Sequence, residues 1–254
     1  MVLLVRMADD VINGLVNVKL TAEEEEVIPI SKEGRREEIE SCTQSLIGKF
    51  LTCKQFNKRA VLSTLTRVWG LEDRVVVSEM GSNLFQFKFQ TEFDMEQILK
   101  KVLWVFYNQV LLLRRWEAGM TVKNVRFDSL PIWIQIWNAP FVMVCSQVAE
   151  EMGQRLGRVV EVKRQRGYIV QNLFMRVKVA IPLEKPLRRG GYLLDSGGHR
   201  VWVKFRYERF PMHYHFYDML GHDLKHCASY FACTKIGEVV CQYGEWLKAS
   251  GGCL

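Results

Sequence analysis

From Leu84 to Gln90 hydrophobic and polar positions alternate strictly. Phe85, Phe87 and Phe89 fall on one side, and Leu84, Gln86, Lys88 and Gln90 on the other. A period of two marks a half-buried strand. Because polar residues dominate the second set, that set is expected to face solvent and the phenylalanines a core. The period changes on both flanks. Phe56–Trp69 carries Val61, Leu62, Leu65, Val68 and Trp69 at helical spacing, and Phe93–Val102 reads as a second helix. Short apolar runs at Ser45–Leu51, Arg74–Ser78 and Val110–Trp116 read as strands, with a hairpin turn at Gly81-Ser82-Asn83. Residues 41–116 therefore predict the order β-α-β-β-α-β.

After a connection over 117–126 the pattern resumes. Leu130–Trp137 reads as a strand, with Pro131 in its first positions. Val144–Leu156 is an amphipathic helix with Gly157 as its stop, and Val159–Val162 is a strand. Leu183–Gly191 and Asp195–Gly198 read as turns. The predicted class is α+β. A ferredoxin-like, RRM-like unit (41–116) is followed by further antiparallel strands with one helix (127–206), then by a small knuckle-like segment (207–230) and a tail (231–254). A short helix is expected over Gly237–Ala249. Residues 1–40 form an acidic preface, expected to be a solvated, mobile segment, with Thr21 as an N-cap before the run Glu23–Glu26.

Charge changes the picture in the second half. The chain of 254 residues carries a net charge of +7. Residues 155–209 hold fourteen Lys and Arg against Glu161, Glu184, Asp195 and Glu208, so the positive excess is concentrated there. In Phe174–Ile181, Arg176 and Lys178 alternate with Met175, Val177, Val179 and Ile181. In Val201–Tyr207, Trp202, Lys204 and Arg206 alternate with Val201, Val203, Phe205 and Tyr207. Paired as a long hairpin, these strands would set Arg176, Lys178, Trp202, Lys204 and Arg206 on one surface. Like charges facing across strands destabilise unless an anion lies between them. An ordinary solvated outer face answers the pattern at any single position; the patch as a whole points to a phosphate backbone, with Trp202 as a stacking plane. Lys163, Arg164 and Arg166 read as a loop gripping phosphates. The third strand of the first unit, with its aromatics turned inward, offers no base-stacking platform.

The stretch Tyr207–Cys227, YERFPMHYHFYDMLGHDLKHC, ends in Gly221-His222 with Cys227 five positions after the histidine. This is the back half of C-x2-C-x4-H-x4-C, a spacing that wraps one tetrahedral zinc. Tyr214 and Tyr217 stand where the first two cysteines belong. With a pKa near ~10, a tyrosine is a poor zinc ligand beside a thiolate. Only His222 and Cys227 remain as a half-site, and zinc is expected only if His213 or His215 replaces a missing cysteine. YERFP, this ligand frame, LP-x-W-x-x-I at Leu130–Ile136, G-x-x-L-G at Gly153–Gly157 and QYGEWLKAS at 242–250 together resemble the plant LINE-type (non-LTR) retrotransposon nucleic-acid-binding proteins. In that family an RRM-like domain of unknown function precedes a CX2CX4HX4C (CCHC) zinc knuckle. The resemblance covers roughly residues 7–250, and Met7-Ala8-Asp9-Asp10 is similar to the family's usual start. It implies a retrotransposon-derived protein that binds nucleic acid, single-stranded RNA first and DNA second, with a degenerate knuckle.

Other classes are disfavoured. There is no P-loop, paired-carboxylate metal motif, Cys–His pair of known spacing or reverse-transcriptase signature, so no enzyme and no small-molecule substrate are expected. His199, between Gly198 and Arg200, is a turn residue. No apolar run approaches the roughly 20 residues of a membrane helix. Seven scattered cysteines predict reduced thiols in an intracellular compartment. The alternative to nucleic-acid binding is a protein-interaction module meeting acidic partners, or a decayed transposon copy.

Overall fold

The computed structural model describes residues 21, 23–52, 56–101, 103–106, 109–163, 174–195, 197–210 and 245–249. The chain divides into two compact units, Met1–Ile39 and Glu40–Leu254. In the first, Thr21 and Glu24 cap each other: Glu24 N–H donates to Thr21 Oγ1 (3.3 Å) and Thr21 N–H to Glu24 Oε2 (2.8 Å). Residues 23–39 are exposed throughout. Helix α1 spans Arg36–Thr43.

The larger unit holds two five-stranded antiparallel sheets. The first contains β1 (Ser45–Leu51), β2 (Val75–Gly81), β3 (Leu84–Phe89), β4 (Trp104–Phe106) and β5 (Gln109–Arg115), in the order β2-β3-β1-β5-β4. Helices α2 (Lys58–Trp69) and α3 (Glu92–Lys100) follow β1 and β3. Asn57 caps α2 by accepting from Ala60 N–H (3.1 Å), and Gly70 ends it in the left-handed conformation (φ 70°). Thr91 caps α3, and Asp94 in its first turn takes both oxygens to Arg74 (2.9 and 3.0 Å). Val61, Leu65 and Trp69 from α2 and Met95 and Ile98 from α3 bury against Leu46, Phe50, Phe85, Phe87 and Phe89. Each of those side chains contributes about 1.5–3 kcal/mol of apolar burial. The β-α-β-β-α-β order read in the sequence is present, with β4 as an added strand.

One expectation for this sheet holds only in part. The second face of β3 is only partly open: Leu84 and Gln86 are buried, while Lys88 is half-buried and Gln90 exposed. Gln86 Nε2 donates to Ser45 Oγ (3.1 Å) and lies 3.6 Å from Cys42 Sγ on α1. Ile47 beside it is buried as well. Further along the same face, Val110 and Leu112 of β5 join the core of the second sheet.

The second sheet contains β6 (Ser129–Trp137), β7 (Arg158–Lys163), β8 (Phe174–Pro182), β9 (Gly190–Leu194) and β10 (Arg200–Tyr207), in the order β7-β8-β6-β10-β9. Strand for strand, this is the order of the first sheet. Helix α4 (Ser146–Gln154) follows β6 as α2 follows β1, but nothing corresponds to α3. The inner face combines Leu130, Ile132, Ile134 and Ile136 with Met175, Val177, Val179, Val203, Phe205 and Tyr207. Ala149 and Met152 of α4 cover part of it, and Leu103, Val110 and Leu112 of the first sheet join the same core. The far face of β5 thus supplies apolar surface that a second helix would otherwise provide.

Three further readings are corrected. β8 and β10 do not form a hairpin, because β6 lies between them; β10 instead turns back on β9. Gly190 and Gly191, read as the end of a turn, open the strand Gly190–Leu194. Gly157 does not stop α4 by a left-handed conformation: the helix ends at Gln154, and a Cβ at Gly157 would lie 2.3 Å from the Ala180 carbonyl oxygen. Close backbone approach, not turn chirality, requires glycine there. At the other end of the sheet, Glu245–Leu247 is a 3-10 turn, while residues 237–244 of the helix expected there lie outside the described residues; Leu247 is buried, and Ala249 N–H donates to Tyr207 O (3.1 Å).

Candidate nucleic-acid interface

Alternation along β6, β8 and β10 turns one set of side chains into the core and the other outward. Strand register then fixes which outward residues are neighbours, because paired residues in a sheet share a face. One row runs Lys163–Arg176–Gln135–Arg206 across β7, β8, β6 and β10. The next, on one side, brings Glu161, Lys178 and Trp133 together. On the other side lie Phe174, Trp137, Lys204 and Gly190, and beyond them Trp202 and Tyr192, then Arg200 and Leu194. Arg176, Lys178, Trp202, Lys204 and Arg206 therefore share one face, although by a different pairing from the one expected. Lys163 joins them from the edge strand.

Four aromatic residues on this face escaped sequence reading: Trp133, Trp137, Phe174 and Tyr192. Trp137 and Phe174 stack at 4.8 Å with a 27° interplanar angle. Tyr192 meets Trp202 edge-on at 4.9 Å. Three of the rings carry a guanidinium: Arg176 lies 4.1 Å from Trp133, Arg206 4.8 Å from Trp137 and Arg200 4.4 Å from Tyr192. Trp202 is 41% exposed and Tyr192 58%, which leaves ring surface open to a base. Gly190 seats the Trp202 indole. A Cβ there would fall 2.5 Å from Trp202 Cζ2 and 2.2 Å from the Val203 carbonyl oxygen.

The cations differ in how they are held. Arg176 is committed to Glu208 through two bonds, Nε to Oε1 (2.8 Å) and Nη2 to Oε2 (2.6 Å). Gln135 Nε2 donates to the same Glu208 Oε1 (2.9 Å), and its Oε1 accepts from Trp137 Nε1 (3.0 Å). Burial acts to raise the Glu208 carboxyl. Hydrogen bonds from Arg176 and Gln135, with the charges of Arg176 and Arg209, outweigh it and hold the group below its ordinary value. A bidentate pair of this kind fixes geometry more than it supplies free positive charge. Lys163, Lys178, Lys204 and Arg206 have no acidic partner among the described residues. Like charge across the sheet is thus relieved by inserting Gln135 between Arg176 and Arg206 and by pairing Arg176 internally.

Several anticipated site residues lie outside the described residues. These are Arg164 and Arg166 after β7, the half-site His222 and Cys227, Tyr214 and Tyr217 at the two vacant cysteine positions, and His213 and His215. Among the described residues no three His, Cys, Asp or Glu side chains gather where they would hold a metal ion. Also among them, no helix is long and apolar enough to cross a membrane.

Residues 38–124 match the family model of a domain of unknown function, DUF4283. The match takes in α1, the first sheet and most of the connection, and stops before β6, so the face described above lies beyond it. Over 116 residues the chain is 24% identical to an uncharacterised protein of Arabidopsis thaliana, At4g02000. That alignment takes in 46% of this chain and 36% of the relative, so the chain spans about a third of the relative's length. Among solved structures, a chain titled Sxl-lethal protein/RNA complex aligns over 65% of this chain and 98% of its own, at 14% identity and a TM-score of 0.26. A likeness at that score carries no argument about fold or function.

Proposed function

We propose that the open face of the second sheet binds single-stranded nucleic acid, RNA in the first instance, without catalysis and with little sequence preference. The observation that carries this reading is the register. It gathers Lys163, Lys178, Lys204 and Arg206 among Trp133, Trp137, Phe174, Trp202 and Tyr192 on one surface, while the opposite face of the same strands is buried. Lysines and arginines hold a phosphodiester backbone, and exposed rings stack bases whatever their identity. The first sheet, an RRM-like scaffold in this reading, serves as support: the middle of its far face is buried at Gln86, Ile47, Val110 and Leu112.

In the same reading the chain derives from a LINE-type retrotransposon, and its C-terminal segment is a zinc knuckle without its front ligands. Tyr214→Cys with Tyr217→Cys is expected to create a one-zinc site, measured by chelator competition. Stoichiometric zinc on the unaltered protein would contradict the degenerate knuckle.

Fluorescence anisotropy with a short labelled single-stranded RNA, titrated across salt, tests the binding function. Binding that weakens steeply with salt is the expected result. No binding at low salt would reject it in favour of a protein-interaction module.

A further inference from the structure

The basic face does not end at the edge of the second sheet. In the row Arg158–Ala180–Pro131, Pro131 precedes Trp133 by two positions and so lies on the same side of β6. Pro131 and Arg158 also line a cleft of about 440 Å³ between the two sheets. Its lining is mixed, with Leu99, Leu103 and the β5 leucines as its apolar part. Cations line it as well. Lys101 sits 4.9 Å over the ring of Trp104, while Arg126 and Arg158 are exposed beside it. A fourth cation of the cleft, Arg114, is already paired with Glu117 (3.2 Å), which leaves Asp128 as the acidic residue facing Lys101, Arg126 and Arg158.

A lining that combines leucines with cations fits a nucleotide, which brings both a base and a phosphate, better than a bare anion, which gains nothing from leucines. We propose that this cleft is a second nucleotide site, taking the same single strand as it runs off the open sheet at Trp133 and Lys178. The inference rests on the function proposed above and adds to it: the first sheet, through Lys101 and Trp104, becomes part of the binding track and not only its support.

The test uses the full chain with Lys101→Ala and Arg126→Ala combined; both side chains are exposed and neither lies on the open face. Binding is measured with single strands of about 4 and about 12 nucleotides, lengths within the range one module covers. For the longer strand, two lost phosphate contacts reduce the salt slope by about 1.4 and weaken binding on the order of tenfold at 0.1 M salt. The short strand, held by the rings of the sheet, is expected to keep its affinity. Equal weakening of both lengths, or no change in either, would overturn the cleft while leaving the sheet face intact. Failure of the unaltered protein to bind either length would overturn both.

Discussion

At the scale of single residues, the proposed interface separates a cation held in an ion pair from cations with no acidic partner among the described residues. Arg176 is tied to Glu208 and lies over Trp133. Arg176→Ala is therefore expected to act on stability, leaving a buried carboxylate without its partner at a cost of about 1–3 kcal/mol or more. Lys178→Ala, Lys204→Ala and Arg206→Ala should each leave the unfolding midpoint nearly unchanged and lower the salt slope of RNA binding by about 0.7. Urea unfolding and salt-dependent anisotropy on the same four variants distinguish the two kinds. Glu208 adds a pH signature. Its native carboxyl titrates below the ordinary value, so its contribution is present above the unfolded-state pKa of about 4.3. That contribution disappears as pH falls through the lowered native value. Compared with Glu208→Gln, the unaltered protein should be more stable at neutral pH and lose its advantage in acid. An advantage unchanged down to pH ~2 would show that the ion pair does not account for it. Gly190→Ala should displace Trp202, shift its fluorescence and weaken RNA binding with little change in salt slope, since it removes a stacking plane and no charge.

At the scale of elements, what the sequence revealed depended on how local each signal was. The periods of α2, α3 and β3 and the strands β1, β6, β8 and β10 were all legible, because each is written in contiguous residues. β4 was not, since Trp104–Phe106 is too short to show a period. β9 was not either, because it opens with Gly190 and Gly191, residues that normally mark a turn. α1 carries Ile39 as its one large apolar side chain, so no amphipathic stripe announces it. The basic residues of β8 and β10 were visible as an alternating set, but their neighbours were not. Trp133 and Trp137 belong to the face because β6 inserts between those two strands, and a strand's partners are not encoded in its own alternation. For the same reason the neutralisation of Arg176 by Glu208, across 32 positions, could not be read from a count of charges. The polar face of β3 misled in the opposite sense: Gln86 looked solvent-facing, yet its amide is satisfied inside by Ser45.

At the scale of the molecule, two sheets of identical strand order serve different ends. The first has both helices and buries part of its far face, around Gln86, Ile47, Val110 and Leu112. The second lacks one helix, takes Leu103, Val110 and Leu112 from the first into its core, and has no helix or strand of the described residues packed on its outer face. The second sheet's core is incomplete without those three residues of the first, so residues 40–254 should unfold in urea as one cooperative transition. Residues 127–210 expressed alone should fail to give a cooperative one; two separate transitions in the full chain would contradict this interdependence. The central claim is that the nucleic acid lies on the second sheet and not the first. Photo-crosslinking of a thiouridine-containing single-stranded RNA, with the modified peptides identified by mass spectrometry, tests it most directly. The account expects adducts within 129–137, 174–182 and 190–207. Adducts confined to β2 and β3 of the first sheet, over 75–89, would contradict it.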